Sequence, residues 1–337
     1  MNSYNNIKNT QNNQPGYLDK GLSQPLSAPK DELLLVEDLS VAFVQYQKGL
    51  KQRNLEVICD LDVSVKSGEI VAVVGSSGSG KSLLAHAILG ILPSNAKVSG
   101  TISYNGEALT VERQKLLRGN QISLIPQSVN YLDPLMRVGQ QVQNTIKTKD
   151  AKAVQEQLFK RYHLSEAAGV LYPFQLSGGM ARRVLVATAV SGGARLIIAD
   201  EPTPGLHPEV VAETLSHLKE LASQGCGVMM ITHDIEAAMK IADRIAVFYA
   251  GTTLELAPIE DFKDRGEALR HPYTKALWMA LPENDFKPIP GFQPTPADLP
   301  SGCLFEPRCQ LRTAECRADR PEMRDLRGGK VRCIHAT

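Results

Sequence analysis

Residues 75–82 read GSSGSGKS, flanked by the apolar run Ile70–Val74 on one side and by LLAHAILGIL after Ser82 on the other. The pattern G-x-x-x-x-G-K-[ST] between a β-branched run and a helical run predicts strand, glycine-rich loop, helix. Few folds other than a parallel α/β sheet can present such a unit. Gly75, Gly78 and Gly80 let the backbone curl so that its N–H groups face phosphate oxygens, with Ser76, Ser77 and Ser79 filling the loop between them. A helix start near Lys81 adds unpaired N–H donors and roughly half a positive charge, both directed at an anion. Lys81 supplies a full charge to β- and γ-phosphates and Ser82 a hydroxyl to Mg²⁺, so ATP is the expected ligand.

A second apolar run, Leu196 to Ala199, ends on Asp200 and Glu201. Carboxylates at the C-terminal end of a buried parallel strand lie beside the phosphate loop, so Asp200 is expected to hold Mg²⁺ directly or through water. Strand alternation should aim Glu201 elsewhere, free to orient the attacking water as general base. Further along, residues 176–180 read LSGGM ahead of the helical run MARRVLVATAV. Ser177 is a good N-cap, and Gly178 and Gly179 permit close backbone approach to a ligand. This is a second helix start suited to phosphate in a chain with one phosphate loop, which points to a nucleotide held by a partner.

Together these stretches resemble the ABC ATPases, in which two subunits sandwich two ATP molecules between the loop of one and the LSGG of the other. The resemblance implies that Gln127, in SLIPQ, touches Mg²⁺ and water, and that His233, in MMITHD, contacts the γ-phosphate. It also implies an adenine-stacking aromatic upstream, for which Tyr46 and Phe43 both qualify. The chain departs from the family at His207, where members usually carry an Asp in a turn across the dimer interface. An imidazole does not reproduce an acceptor that is always charged at neutral pH.

Residues 128–176 include Leu132-Asp-Pro134 and a helical stretch around Ala151 to Arg161. They resemble the helical subdomain of the oligopeptide, dipeptide and nickel importer ATPases, which receives a coupling helix of the membrane subunit. HPYTKALWMALP, starting at His271, is similar to a C-terminal motif of that branch. After it, Cys303, Cys309, Cys316 and Cys333 are spaced C-x5-C-x6-C-x16-C in a Pro- and Arg-rich segment with little apolar content. Four thiols in a cytosolic tail favour metal ligation over disulfides. The spacing lacks the paired knuckles of structural zinc, and the resemblance implies a 4Fe-4S cluster, with zinc or free thiols as alternatives. Cys59 and Cys226 fall near apolar strands and read as small core residues.

The expected architecture is α/β: a P-loop ABC-type nucleotide-binding domain with a mainly parallel central sheet, an antiparallel β edge, a helical subdomain and a small Cys-containing C-terminal appendage. Residues 1–30 read as a disordered polar tail, 31–257 as the ATPase domain and 258–337 as the extension. With 43% hydrophobic and 22% charged residues the chain falls among soluble globular proteins, and a net charge of +1 gives no case for nucleic acid. No apolar run reaches the ~18 residues of a membrane span, and the N-terminus is not signal-like. The implied role is an ATP-hydrolysing importer subunit, peripheral on the cytoplasmic face of the inner membrane. Its implied partners are a second, distinct ABC ATPase, two permeases and an extracytoplasmic binding protein. Peptide, nickel and metal-chelate substrates remain open, with peptide ahead.

Overall fold

The computed structural model describes residues 32–46 and 52–337; the polar tail expected at 1–30 lies outside the described residues. Two sheets organise them. The first is antiparallel, ordered β2-β1-β4-β5, from β1 (Leu34–Tyr46), β2 (Gln52–Val65), β4 (Ala96–Tyr104) and β5 (Glu107–Ala108). The second has eight strands in the order β11-β12-β10-β9-β3-β8-β7-β6. Its parallel part comprises β3 (Ile70–Val74), β6 (Ile122–Ile125), β7 (Leu196–Asp200), β8 (Gly227–Thr232) and β9 (Arg244–Tyr249). Antiparallel β10 (Thr252–Pro258), β11 (Arg324–Leu326) and β12 (Gly329–Val331) extend that sheet at one edge.

β3, β7 and β8 are buried along their whole length, as strands covered on both faces must be. Successive side chains divide between two cores. Ile70, Ala72 and Val74 pack with the side that holds α5 (Gly178–Ser191), α6 (Pro208–Ser223) and α7 (Ile235–Ile241), whereas Val71 and Val73 pack with α1 (Lys81–Leu89) and the antiparallel sheet. Leu215, Leu218 and Ala222, with partly buried Val211, form a stripe at helical spacing on the sheet-facing side of α6. Residues between β4 and β6 include α2 (Val111–Leu117), and α3 (Val138–Thr145) and α4 (Ala151–Arg161) build the helical region ahead of α5. α8 (Pro272–Met279) and α9 (Ala314–Ala318) belong to the C-terminal extension.

That extension is stitched to the sheet by more than the sequence suggests. β12 pairs with β10, and Leu304 and Phe305 are buried in the same core as α5 to α7. Arg332 donates to the carbonyls of Thr253, Pro321 and Asp60 and to the Asp62 carboxylate. Buried Arg270 pairs with buried Glu255 and with Asp261. A segment poor in apolar residues thus folds by borrowing the core and sheet edge of its neighbour.

Candidate nucleotide site

The phosphate loop joins β3 to α1, and two of its glycines are required for different reasons. Gly80 sits at φ 94°, a left-handed conformation an L side chain rarely adopts. At Gly75 the constraint is space, because a Cβ would lie 2.5 Å from the Phe248 carbonyl oxygen of β9. Lys81 is only 7% exposed and folds back over the loop, donating to the carbonyls of Gly75 at 2.7 Å and Ser76 at 3.1 Å. Burial lowers its pKa, opposed by the carboxylates of Glu201 and Asp200. The loop therefore has a desolvated cation whose available partners are carbonyls, weaker acceptors than a phosphate oxygen. Ser79 is buried and its hydroxyl has no partner among the described residues.

Asp200 ends β7 beside this loop. Its Oδ1 accepts from the Ser82 hydroxyl at 3.2 Å, and burial raises its pKa, with the Ser82 hydrogen bond opposing. A hydroxyl oxygen and a carboxylate oxygen thus converge, a donor pair that suits a hard cation such as Mg²⁺. Glu201 bonds a different partner from Asp200, and strand alternation does not set its direction. The strand has ended, and Glu201 has φ 47°, held there by its N–H donating to the Ile231 carbonyl at 2.8 Å. A non-glycine residue in this region costs on the order of 1 kcal/mol or more and marks a position the surroundings over-determine. His233, following β8, places Nδ1 at 3.0 and 2.9 Å from the two Glu201 carboxylate oxygens. The Glu201 side chain is largely buried and that of His233 is 59% exposed, so the pair spans the site's inner wall and its opening.

Other expected residues make no side-chain hydrogen bond to this centre among the described residues. Gln127 is exposed just beyond β6. Ser177 caps α5 by accepting from the Met180 N–H at 3.3 Å, and it and Gly178 are exposed, with nothing within 4 Å of where a Gly178 side chain would begin. His207 precedes α6 without forming a side-chain cap and is also exposed. Phe43 packs against the core beside the antiparallel sheet; Tyr46 ends β1, and its side chain lies outside what is described.

Residues 58–204 match the family model described as ABC transporter, and residues 254–316 match Oligopeptide/dipeptide transporter, C-terminal region. The dipeptide transport ATP-binding protein DppD of Haemophilus influenzae is 33% identical over 321 residues, 89% of this chain and 94% of that protein. The oligopeptide transport ATP-binding protein OppD of Escherichia coli is 34% identical, over 90% of this chain and 92% of that protein. The chain belongs to the ABC transporter ATP-binding proteins. Among solved structures, a dimeric ATP-binding cassette in a post-hydrolysis state with ADP and Pi aligns with TM-score 0.58 at 23% identity, covering 67% of this chain and 98% of that one. The cbiO1 subunit of Clostridium perfringens aligns with TM-score 0.58 at 25% identity, over 74% and 99%. Fold and family agree, and this ABC protein is an ATP-hydrolysing transporter subunit associated with a membrane. No described helix is long and apolar enough to cross one.

One residue of this ABC protein escaped the sequence reading. Arg182, buried on α5, donates to the Pro126 carbonyl at 2.7 Å and so ties the segment preceding Gln127 to the helix that Ser177 opens. Burial lowers its pKa. The signal was available: a basic residue inside the otherwise apolar run of a buried helix needs a partner.

The four extension cysteines lie in one neighbourhood. The Cys303 N–H donates to the Cys316 carbonyl at 2.8 Å, and burial pushes the Cys303 thiol up to about 11, with Cys333, Cys316 and Cys309 adding to the rise. Yet among the described residues no group of three or more His, Cys, Asp or Glu is gathered closely enough to hold a metal ion. The donor chemistry suits an iron-sulfur centre. The side-chain placement does not.

Proposed function

We propose that this subunit drives import of di- and oligopeptides through two partner permeases, on the cytoplasmic face of the inner membrane, paired with a second and distinct ABC ATPase. The observation that carries it is the division of the site. Lys81, Ser82, Asp200, Glu201 and His233 converge in this chain, whereas Ser177 and Gly178 are exposed at the start of α5, Ser177 bonding only within its own helix turn and Gly178 facing open space. A complete site then needs two chains. The likeness to relatives named for dipeptide and oligopeptide transport over about nine-tenths of the chain supports peptide as the cargo.

In this reading the loop amides of residues 75–80 and the Lys81 ammonium bind the triphosphate, and Ser82, Asp200 and Gln127 hold Mg²⁺, which supplies charge neutralisation when bound. Glu201 takes the proton of the attacking water, its carboxylate fixed by His233, which also faces the γ-phosphate. Ser177, Gly178 and Gly179 cap the nucleotide of the partner subunit. Tyr46 is the candidate to stack on adenine. Residues 31–257 form the ATPase domain and 258–337 the extension. A cleft of about 360 Å³ lined by Val129, Leu132, Pro173, Phe174 and Ala181 presents apolar surface in the helical region, suited to an amphipathic segment of a permease. Extracytoplasmic selection of cargo falls to a binding protein.

Proteoliposomes carrying the complex should take up a radiolabelled dipeptide only with ATP inside the compartment facing this subunit; nickel or metal-chelate uptake without peptide uptake would replace the cargo assignment. For the extension, the reading is a 4Fe-4S cluster on Cys303, Cys309, Cys316 and Cys333, supported by the C-x5-C-x6-C-x16-C spacing and not by the present side-chain placement. Its formation requires those side chains to rearrange. Anaerobically purified protein should then be brown, absorbing at about 400 nm with about four irons per chain, whereas zinc would leave it colourless.

A further inference from the structure

The segment 289–298 of the extension crosses to the nucleotide site, and both of its ends are anchored. At one end Arg308 donates to the carbonyls of Pro290 at 2.8 Å and Ile289 at 3.0 Å, and to the Tyr249 hydroxyl at 3.3 Å. Gly291, at φ 77°, turns the chain over the Arg308 side chain. At the other end Arg53, near the start of β2, donates to the Ala297 carbonyl at 2.8 Å, and a Thr295–Asp298 turn closes the segment. Between the anchors, the hydroxyl of Ser76 donates to Oε1 of Gln293 at 2.5 Å. Ser76 is the second residue of the phosphate loop. Tyr273 of α8 adds a second approach from the extension: burial pushes its phenol up to about 12, and the Ser76 hydroxyl beside it opposes that shift.

Gln293 spends one end of its carboxamide on Ser76. The amide nitrogen on the same carbon has no partner among the described residues, so its N–H donors are available beside a loop shaped for an anion. We propose that Gln293 is a further nucleotide-binding residue, whose free amide N–H donates to a phosphate oxygen of bound ATP while its carbonyl pins Ser76. The C-terminal extension thereby forms one wall of the nucleotide site. This rests on the reading that residues 75–82 bind ATP.

The test is equilibrium titration of the full chain with fluorescent mant-ATP and mant-AMP in the presence of Mg²⁺, for wild type, Gln293→Ala and Gln293→Glu. Glu still accepts from Ser76 but brings a negative charge towards the phosphates. Gln293→Ala should weaken mant-ATP binding about fivefold, as for one charge-assisted hydrogen bond partly exposed to water. Gln293→Glu should weaken it about thirtyfold, but mant-AMP less than about threefold, and the Glu-to-Ala difference should shrink at high salt. Because the ATP-to-AMP ratio is read within one variant, a general loss of folded protein cancels. Wild-type affinity for mant-ATP in both variants, or an equal penalty for both nucleotides in Gln293→Glu, overturns the assignment of Gln293. Absence of nucleotide binding by the wild type overturns the phosphate-loop reading as well.

Discussion

Glu201 is held at three points: a left-handed backbone, an N–H bonded to the Ile231 carbonyl, and a carboxylate gripped by His233. These contacts hold the Glu201 carboxylate on His233 while Asp200 accepts from Ser82, the division of labour that the proposed water and metal roles require. Changing Glu201 to Gln keeps size and position and removes the base. ATP turnover should fall at least about 100-fold, while ATP affinity measured by equilibrium binding stays within a few-fold of wild type. Wild-type turnover in that variant would remove Glu201 from its role.

α8 is opened by His271, whose Nδ1 accepts from the Tyr273 N–H at 3.0 Å and whose ring lies 5.8 Å from that of Phe305. The ring is fully enclosed, and burial lowers its pKa from 6.5 to about 3. The sign follows from proton counts. Between those two values the unfolded chain binds a proton that the folded chain refuses, so acidification favours unfolding and stability rises with pH across that window. By pH 5 this one residue should account for a loss of about 2 kcal/mol relative to neutral pH. Asn at position 271 can still accept from the Tyr273 N–H but does not titrate. Urea unfolding of His271→Asn between pH 7 and pH 5 should therefore show a smaller stability loss than wild type, whatever its stability at pH 7; identical slopes would mean that His271 is not held neutral.

At the scale of the molecule, the parallel sheet gathers the phosphate loop, Asp200 and the Glu201–His233 pair at one end of β3, β7 and β8, while α5 carries Ser177 to an exposed position. Gly178 has open space around it, so a side chain there clashes with nothing in its own chain. Gly178→Asp should leave the melting temperature and the nucleotide affinity of the isolated subunit near wild type. In the assembled transporter it should reduce ATP turnover at least about tenfold, because a carboxylate then faces the partner's triphosphate. Unchanged turnover would argue against an intermolecular role for this helix start.

The sequence determined the local parts: a glycine-bearing loop between strand and helix, an Asp at a strand end, a Ser able to cap a helix, and helix limits such as Ala151–Arg161. These are legible because hydrophobic period, caps and glycine requirements act over a few residues. What brought Glu201 onto His233, Arg182 onto the Pro126 carbonyl, and Gln293 onto Ser76 was tertiary structure alone, across separations of 32, 56 and 217 residues. The same holds for β12 joining the sheet at β10. A hydrogen bond between distant residues leaves no periodicity in the chain; it exists only once burial of the two cores has fixed which surfaces meet.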